Sequence, residues 1–158
     1  MPPPLFFDLS QIDLNAEPAY DRQAVEKANP QRFEMQQLDG ILWYDRERSL
    51  ILGYKDVTDN EFWVRGHIPG RPLMPGVMML EAAGQLASFA AQKVNRPEGF
   101  LGFSGLEDVK FRLPVIPGSR LYLLGKFVEN RQRRFKLATQ GVVEGQMVFH
   151  ATIIGMPI

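Results

Sequence analysis

Residues 66–85 read GHIPGRPLMPGVMMLEAAGQ and hold the side chains best suited to chemistry. His67 stands at the mouth of a loop rich in proline and glycine, and an imidazole can take up a proton at neutral pH as a general base. Gly76 precedes an apolar run of helical character. The first N–H groups of a helix lack partners, and its dipole favours negative charge. A glycine there lets a ligand approach the backbone, which could hold a thioester carbonyl as its oxygen gains charge. Glu81 interrupts the same run. Burial favours its protonated form, as a general acid requires, while the helix dipole favours the ion. Gln85 lies one turn later on the same face and could orient the carboxyl.

Each feature has a plainer reading. A lone histidine is as often structural as catalytic, Gly76 could serve only the turn after Pro75, and Glu81 could meet solvent or Arg71 at the edge of a buried face. Phe62, Trp63, Phe100, Phe103 and Phe111 could line an apolar tunnel or simply pack the core.

The elements that must position these groups follow from periodicity. Pro69, Pro72 and Pro75 exclude a regular helix before residue 76 and make the loop a shaped one. Residues 77–94 form the one long helical segment, apolar almost all round and so buried on most faces. Small residues at Ala82, Ala83, Gly84, Ala87, Ala90 and Ala91 permit close approach of a sheet. Two apolar runs between Ile41 and Val57 flank a charged turn at Asp45–Ser49, and 57–65 reads as a further strand. Leu101–Leu113, Ser119–Glu129, Arg134–Glu144 and Gln146–Gly155 complete the strands. One buried helix with five to seven strands gives an α+β domain. Residues 1–37 read as an N-terminal arm with short helical turns broken at Pro30, lying on the surface or packed on a partner subunit. Residues 38–158 form the domain proper.

The chain of 158 residues suits one core. It has no cysteine, which excludes disulfides and thiolate chemistry, and only two histidines. Eighteen basic and eighteen acidic residues cancel, so nothing points to nucleic acid. The N-terminus has no signal-peptide pattern and no stretch is apolar enough for a membrane span, which makes the cytoplasm the expected location.

The segment GHIPGRPLMPGVMMLEAAGQ resembles the active-site stretch of the beta-hydroxyacyl-acyl carrier protein dehydratases of the non-isomerising, glutamate-containing kind. LGFSGLEDVKFRLPVIPGSRL, residues 101–121, resembles that family's second stretch. The likeness runs from about Leu38 to Ile154. It implies a hot-dog fold, a long central helix wrapped by a curved antiparallel sheet. It also implies catalytic His67 and Glu81, a Gly76 N–H on the thioester oxygen, a supporting Gln85, and Val77 beside the substrate tunnel. The implied reaction converts a (3R)-3-hydroxyacyl group on acyl carrier protein to the trans-2-enoyl form in fatty acid synthesis. No metal or redox cofactor is implied, because the thioester itself acidifies C2, and the substrate arrives on a phosphopantetheine arm. The resemblance further implies a homodimer that joins His67 of one subunit to Glu81 of the other, with three dimers forming a hexamer in many members. Two departures stand out. Ile68 replaces the usual phenylalanine, and Gln31-Arg32-Phe33 stands where a His-Arg pair and an aromatic are usual. Arg131, Arg133, Arg134 and Lys136 could dock an acidic carrier or form a solvated hairpin end. The alternatives are an (R)-specific enoyl-CoA hydratase, another acyl-thioester enzyme such as a thioesterase, and a silent acyl-binding or oligomeric module.

Overall fold

A computed structural model describes residues 1–95 and 99–158. After a short helix α1 (Arg22–Ala28) come strands β1 (Gly40–Asp45) and β2 (Leu50–Asp56), the long helix α2 (Gly76–Asn95), and strands β3 (Leu101–Phe111), β4 (Arg120–Arg131), β5 (Arg134–Val143) and β6 (Gln146–Pro157). Among the described residues the strands form one sheet in the order β1-β2-β4-β5-β6-β3, antiparallel at every pairing. The curved sheet wraps α2, which is the hot-dog arrangement.

Hairpins form where the turn chemistry demands them. Glu144 and Gly145 both have positive φ, as a two-residue hairpin turn requires, and Val143 pairs with Gln146 across it. Asp45 closes the β1–β2 turn by accepting the Arg48 N–H at 3.0 Å.

The helix packs by its apolar bulk. Met79, Ala82, Ala83, Leu86, Phe89 and Ala90 are buried against Ile51, Leu121, Leu123, Leu137, Phe149 and Ile153 of the sheet. A stripe is left open along Val77, Glu81 and Gly84. The opposite face of the sheet is covered too. Leu52, Leu124 and Val142 are buried beneath Leu5, Phe6, Phe7, Leu9, Ile12 and Leu14 of the N-terminal arm. Both faces of β2 and β4 are therefore apolar, which explains the unbroken runs Leu50-Ile51-Leu52 and Leu121–Leu124. Gln140, almost fully buried, clamps the arm at two points. Its Oε1 accepts the Phe6 N–H at 3.0 Å and its Nε2 donates to the Pro4 carbonyl at 2.9 Å. The arm thus lies on its own chain's sheet.

Residues 57–65 are not a strand. They form turns, because Glu61 folds back to accept from the Thr58 N–H and hydroxyl and to pair with Lys55 at 2.9 Å. No helix among the described residues is long and apolar enough to cross a membrane.

Candidate active site

The loop that carries His67 is built as a small hairpin. The Ile68 carbonyl accepts the Arg71 N–H at 2.7 Å across Pro69 and Gly70, and Gly70 has φ +77. This is the pattern of a type II turn, with proline first and a positive-φ glycine second. The Leu73 N–H donates to the His67 carbonyl at 3.0 Å, and the Met74 N–H donates to the Val115 carbonyl at 2.7 Å, which ties the loop to the connection between β3 and β4. The His67–Ile68 peptide bond is cis.

His67 Nδ1 donates to the Leu73 carbonyl at 2.8 Å. A carbonyl only accepts, so in the neutral ring this bond puts the proton on Nδ1 and the lone pair on Nε2. The ring is oriented and poised at one nitrogen.

At the head of α2, the Met78 and Met79 N–H groups both turn back to the Pro75 carbonyl. The Gly76 and Val77 N–H groups have no backbone acceptor among the described residues. A Cβ on Gly76 would lie 2.7 Å from the tip of the Phe111 ring, so a larger residue here would have to displace that half-exposed ring. Gly76 and the exposed Val77 border an apolar groove of about 460 Å³ together with Leu73, Phe111 and Leu113.

Glu81 sits one turn further along and faces a different space, a slot of about 70 Å³. Its Oε1 accepts from Gln85 Nε2 at 2.8 Å. Gln85 is 1% exposed, and every hydrogen-bonding position of its amide is used. Nε2 also donates to the Met35 carbonyl at 2.6 Å, and Oε1 accepts the N–H groups of Gln37 and Leu38 at 2.8 and 3.1 Å. Asn29 Nδ2 donates to the Gln85 carbonyl at 2.9 Å. The lead-in segment 29–38 is thereby fastened to the residue that holds the carboxylate. Sequence reasoning missed these partners because most of them are backbone groups, which no side-chain pattern advertises.

Within one chain, Gln85 and Glu81 are brought together, as are Gly76 and Val77. His67 borders neither the Gly76 groove nor the Glu81 slot. Glu81 forms no ion pair with Arg71 among the described residues. The aromatic residues proposed for a tunnel are dispersed. Phe103 borders the Glu81 slot, Phe111 caps Gly76, Phe62 and Phe100 are exposed elsewhere, and Trp63 is buried in the core.

Residues 29–152 match the FabA-like domain. The chain belongs to the FabA-like domain family. This is a hot-dog enzyme family that handles acyl thioesters. Solved structures of the same fold include the dehydratase heterocomplex ApeI:P from Xenorhabdus doucetiae, with TM-score 0.72 and 11% identity over 85% of this chain and 90% of that one. PaaI from the phenylacetic acid degradation operon of E. coli has TM-score 0.58 and 14% identity over 73% and 80%. The smu.793 protein of Streptococcus mutans, solved bound to acetyl CoA, has TM-score 0.58 and 10% identity over 77% and 88%. At these identities the likeness shows the fold alone.

Proposed function

We propose that the protein removes water from a (3R)-3-hydroxyacyl thioester carried on the phosphopantetheine arm of acyl carrier protein, giving the trans-2-enoyl thioester. The observation that carries this reading is the hydrogen bond from His67 Nδ1 to Leu73, which leaves Nε2 as a base, just upstream of a helix whose Glu81 is oriented by Gln85.

In this reading Nε2 takes the C2 proton. The electrons of that bond pass toward the thioester oxygen, which the Gly76 N–H holds as its charge grows. They then return to form the C2–C3 double bond as the 3-hydroxyl leaves. Glu81 protonates the leaving group, which departs as water. Because Gln85 occupies Oε1 with a donor, the transferable proton sits on Oε2. The thioester itself acidifies C2, so no step is assigned to a metal or redox cofactor. Val77 borders the channel by which the arm enters.

The working unit in this reading is a homodimer in which His67 of one subunit faces Glu81 of the other. Two observations support it. The two residues border no common cavity within a chain, and the edge strand β3 exposes Phe103, Leu106, Val109 and Phe111. An unpaired apolar edge invites pairing with a second copy. A trimer of dimers is the larger assembly consistent with the family.

A coenzyme A thioester as substrate is the second reading, prompted by the acetyl CoA bound to the Streptococcus mutans protein. Mass analysis of the products from (3R)-3-hydroxyacyl-carrier and the matching coenzyme A thioester tests both. Loss of water from the carrier-bound substrate supports the proposal. Turnover with coenzyme A alone favours the second reading, and release of a free acid and thiol would indicate hydrolysis and reject dehydration.

A further inference from the structure

The face of the sheet away from α2 carries an open cleft of about 590 Å³ at the tip of the N-terminal arm. Strand pairing fixes what stands there. Lys126, Ala138 and Thr152 are paired in one row across β4, β5 and β6, and Gln140 and His150 are paired in the next. Residues paired directly, or two apart on one strand, share a face. Gln140 clamps the arm, so both rows lie on the arm's side. Lys126 and Thr152 are two strands apart, roughly 10 Å. The small Ala138 between them leaves a trough, and Pro3, Pro4 and Phe6 of the arm form an apolar wall along it. Two polar groups of the trough are already engaged. The Thr139 hydroxyl donates to the Ala151 carbonyl at 2.7 Å, and the Gln140 amide is used at both ends by the arm. The others can all donate. Lys126 is exposed and in no ion pair among the described residues. Thr152 offers a hydroxyl. His150 is half-buried, and its Nδ1 is buried without a partner among the described residues, which leaves Nε2 as the nitrogen able to donate. Burial pushes the imidazole below its ordinary value. Arg112 and Lys110 push the same way and Asp108 opposes them, so cations outnumber carboxylates around the ring.

We infer that this trough binds an amphipathic monoanion, a carboxylate on an alkyl chain, with its head on Lys126, Thr152 and His150 and its chain against the arm. Charge complementarity names the head. A full cation, a hydroxyl and an imidazole N–H border one space, and charge-assisted hydrogen bonds to a carboxylate are the strong kind. Asp108, the one carboxylate bordering the cleft among the described residues, limits the head to a single charge, because a phosphate dianion would be repelled by it. The wall names the tail. An alkyl chain laid on Pro3, Pro4 and Phe6 removes apolar surface from water on both partners. A ligand so placed touches arm and sheet at once and fastens the arm further. None of the three head-group residues is on the edge strand β3, and the site is independent of the dehydratase reading.

Calorimetric titration of the full-length protein with octanoate tests this, beside acetate, octanol and inorganic phosphate. Octanoate is expected to bind saturably and at least about tenfold more tightly than acetate or octanol, since head and chain each contribute. Phosphate, with no chain and a second charge, is expected to bind more weakly than octanoate as well. Lys126→Gln is expected to weaken octanoate at least about tenfold and Thr152→Val about threefold or more. Thermal melts establish that both variants are folded. Glu81→Gln, at the candidate active site, is expected to leave octanoate affinity unchanged. At saturation the Phe6 N–H, which Gln140 holds, is expected to exchange its hydrogen more slowly. No saturable binding, an affinity unchanged in both Lys126→Gln and Thr152→Val, or acetate or phosphate binding as tightly as octanoate would overturn the inference. Loss of binding in Glu81→Gln alone would place the acid in the candidate active site and overturn it too, and an unchanged exchange rate at Phe6 would overturn the contact with the arm.

Discussion

Gln85 Nε2 donates to Glu81 Oε1 at 2.8 Å, and the same amide receives the backbone N–H groups of Gln37 and Leu38. One buried side chain therefore orients the candidate acid and fastens the segment that leads into β1. Gln85→Ala would leave two buried N–H groups and the Met35 carbonyl without partners. At about 1–3 kcal/mol for an orphaned buried group, with some recovered by relaxation, we expect a loss of about 2–4 kcal/mol in unfolding free energy. Urea denaturation checks this. A loss under 1 kcal/mol would mean that the network is not a structural anchor.

The Lys55–Glu61 pair is the most buried ion pair among the described residues, with side chains 6% and 10% exposed. Removing one partner strands the other charge, so Glu61→Ala is expected to cost about 3–5 kcal/mol. Replacing both as Lys55→Met/Glu61→Leu is expected to cost less than the single change. A double-mutant cycle without coupling would contradict this.

The same pair has a pH signature. Burial pushes the Glu61 carboxyl up, but Lys55 and the Thr58 hydroxyl and N–H together outweigh it and hold the group below the ordinary carboxylate range. A depressed folded pKa stabilises above the unfolded glutamate value, about 4.3, and that contribution is lost as pH falls through the lower folded value. Stability measured from about pH 6 to about pH 3 is therefore expected to fall more steeply in wild type than in Glu61→Gln. Parallel curves would remove the pair from the acid response.

Much of this fold was legible from periodicity and turn residues. The α2 run of apolar residues, the prolines before it and the four late strands appear within one or two residues of their expected bounds. The segment 57–65 misled because Phe62, Trp63 and Val64 carry strand propensity, while Glu61 and Thr58 supply a local polar closure that wins. The arm's seat was not legible. Its apolar residues show no period, and nothing local says that they match the outer face of β2 and β4. Of the candidate site, the contact between Glu81 and Gln85 was readable from helical spacing. The anchoring of His67 by a carbonyl six residues away, and of Gln85 by the lead-in backbone, belongs to tertiary structure.

Deleting residues 1–14 uncovers Leu52, Leu124 and Val142. With several half-buried leucine and phenylalanine side chains removed from the sheet, a loss of about 3 kcal/mol or more is expected, along with aggregation from the exposed face. Thermal melts and light scattering check it. An unchanged melt would show that the arm merely decorates the sheet.

The basic hairpin divides into two kinds of charge. Arg131 pairs with Glu129 at 3.2 Å and Lys136 with Glu107 at 2.9 Å, whereas Arg133 and Arg134 are exposed at the turn with no ion pair among the described residues. If an acidic carrier docks there, Arg133→Glu/Arg134→Glu weakens carrier affinity and flattens its salt dependence, without changing binding of a free pantetheine thioester. Unchanged carrier affinity would move the docking site elsewhere.

The most direct test of the central claim is the rate of trans-2-enoyl formation from (3R)-3-hydroxyacyl-acyl carrier protein by wild type, His67→Ala and Glu81→Gln. The account expects wild-type turnover and a loss of about 10²–10⁴-fold in each variant, the range for removing a general base or acid. Full rates in either variant would contradict the assignment of that residue, and the absence of enoyl product from the wild type would contradict the dehydratase itself.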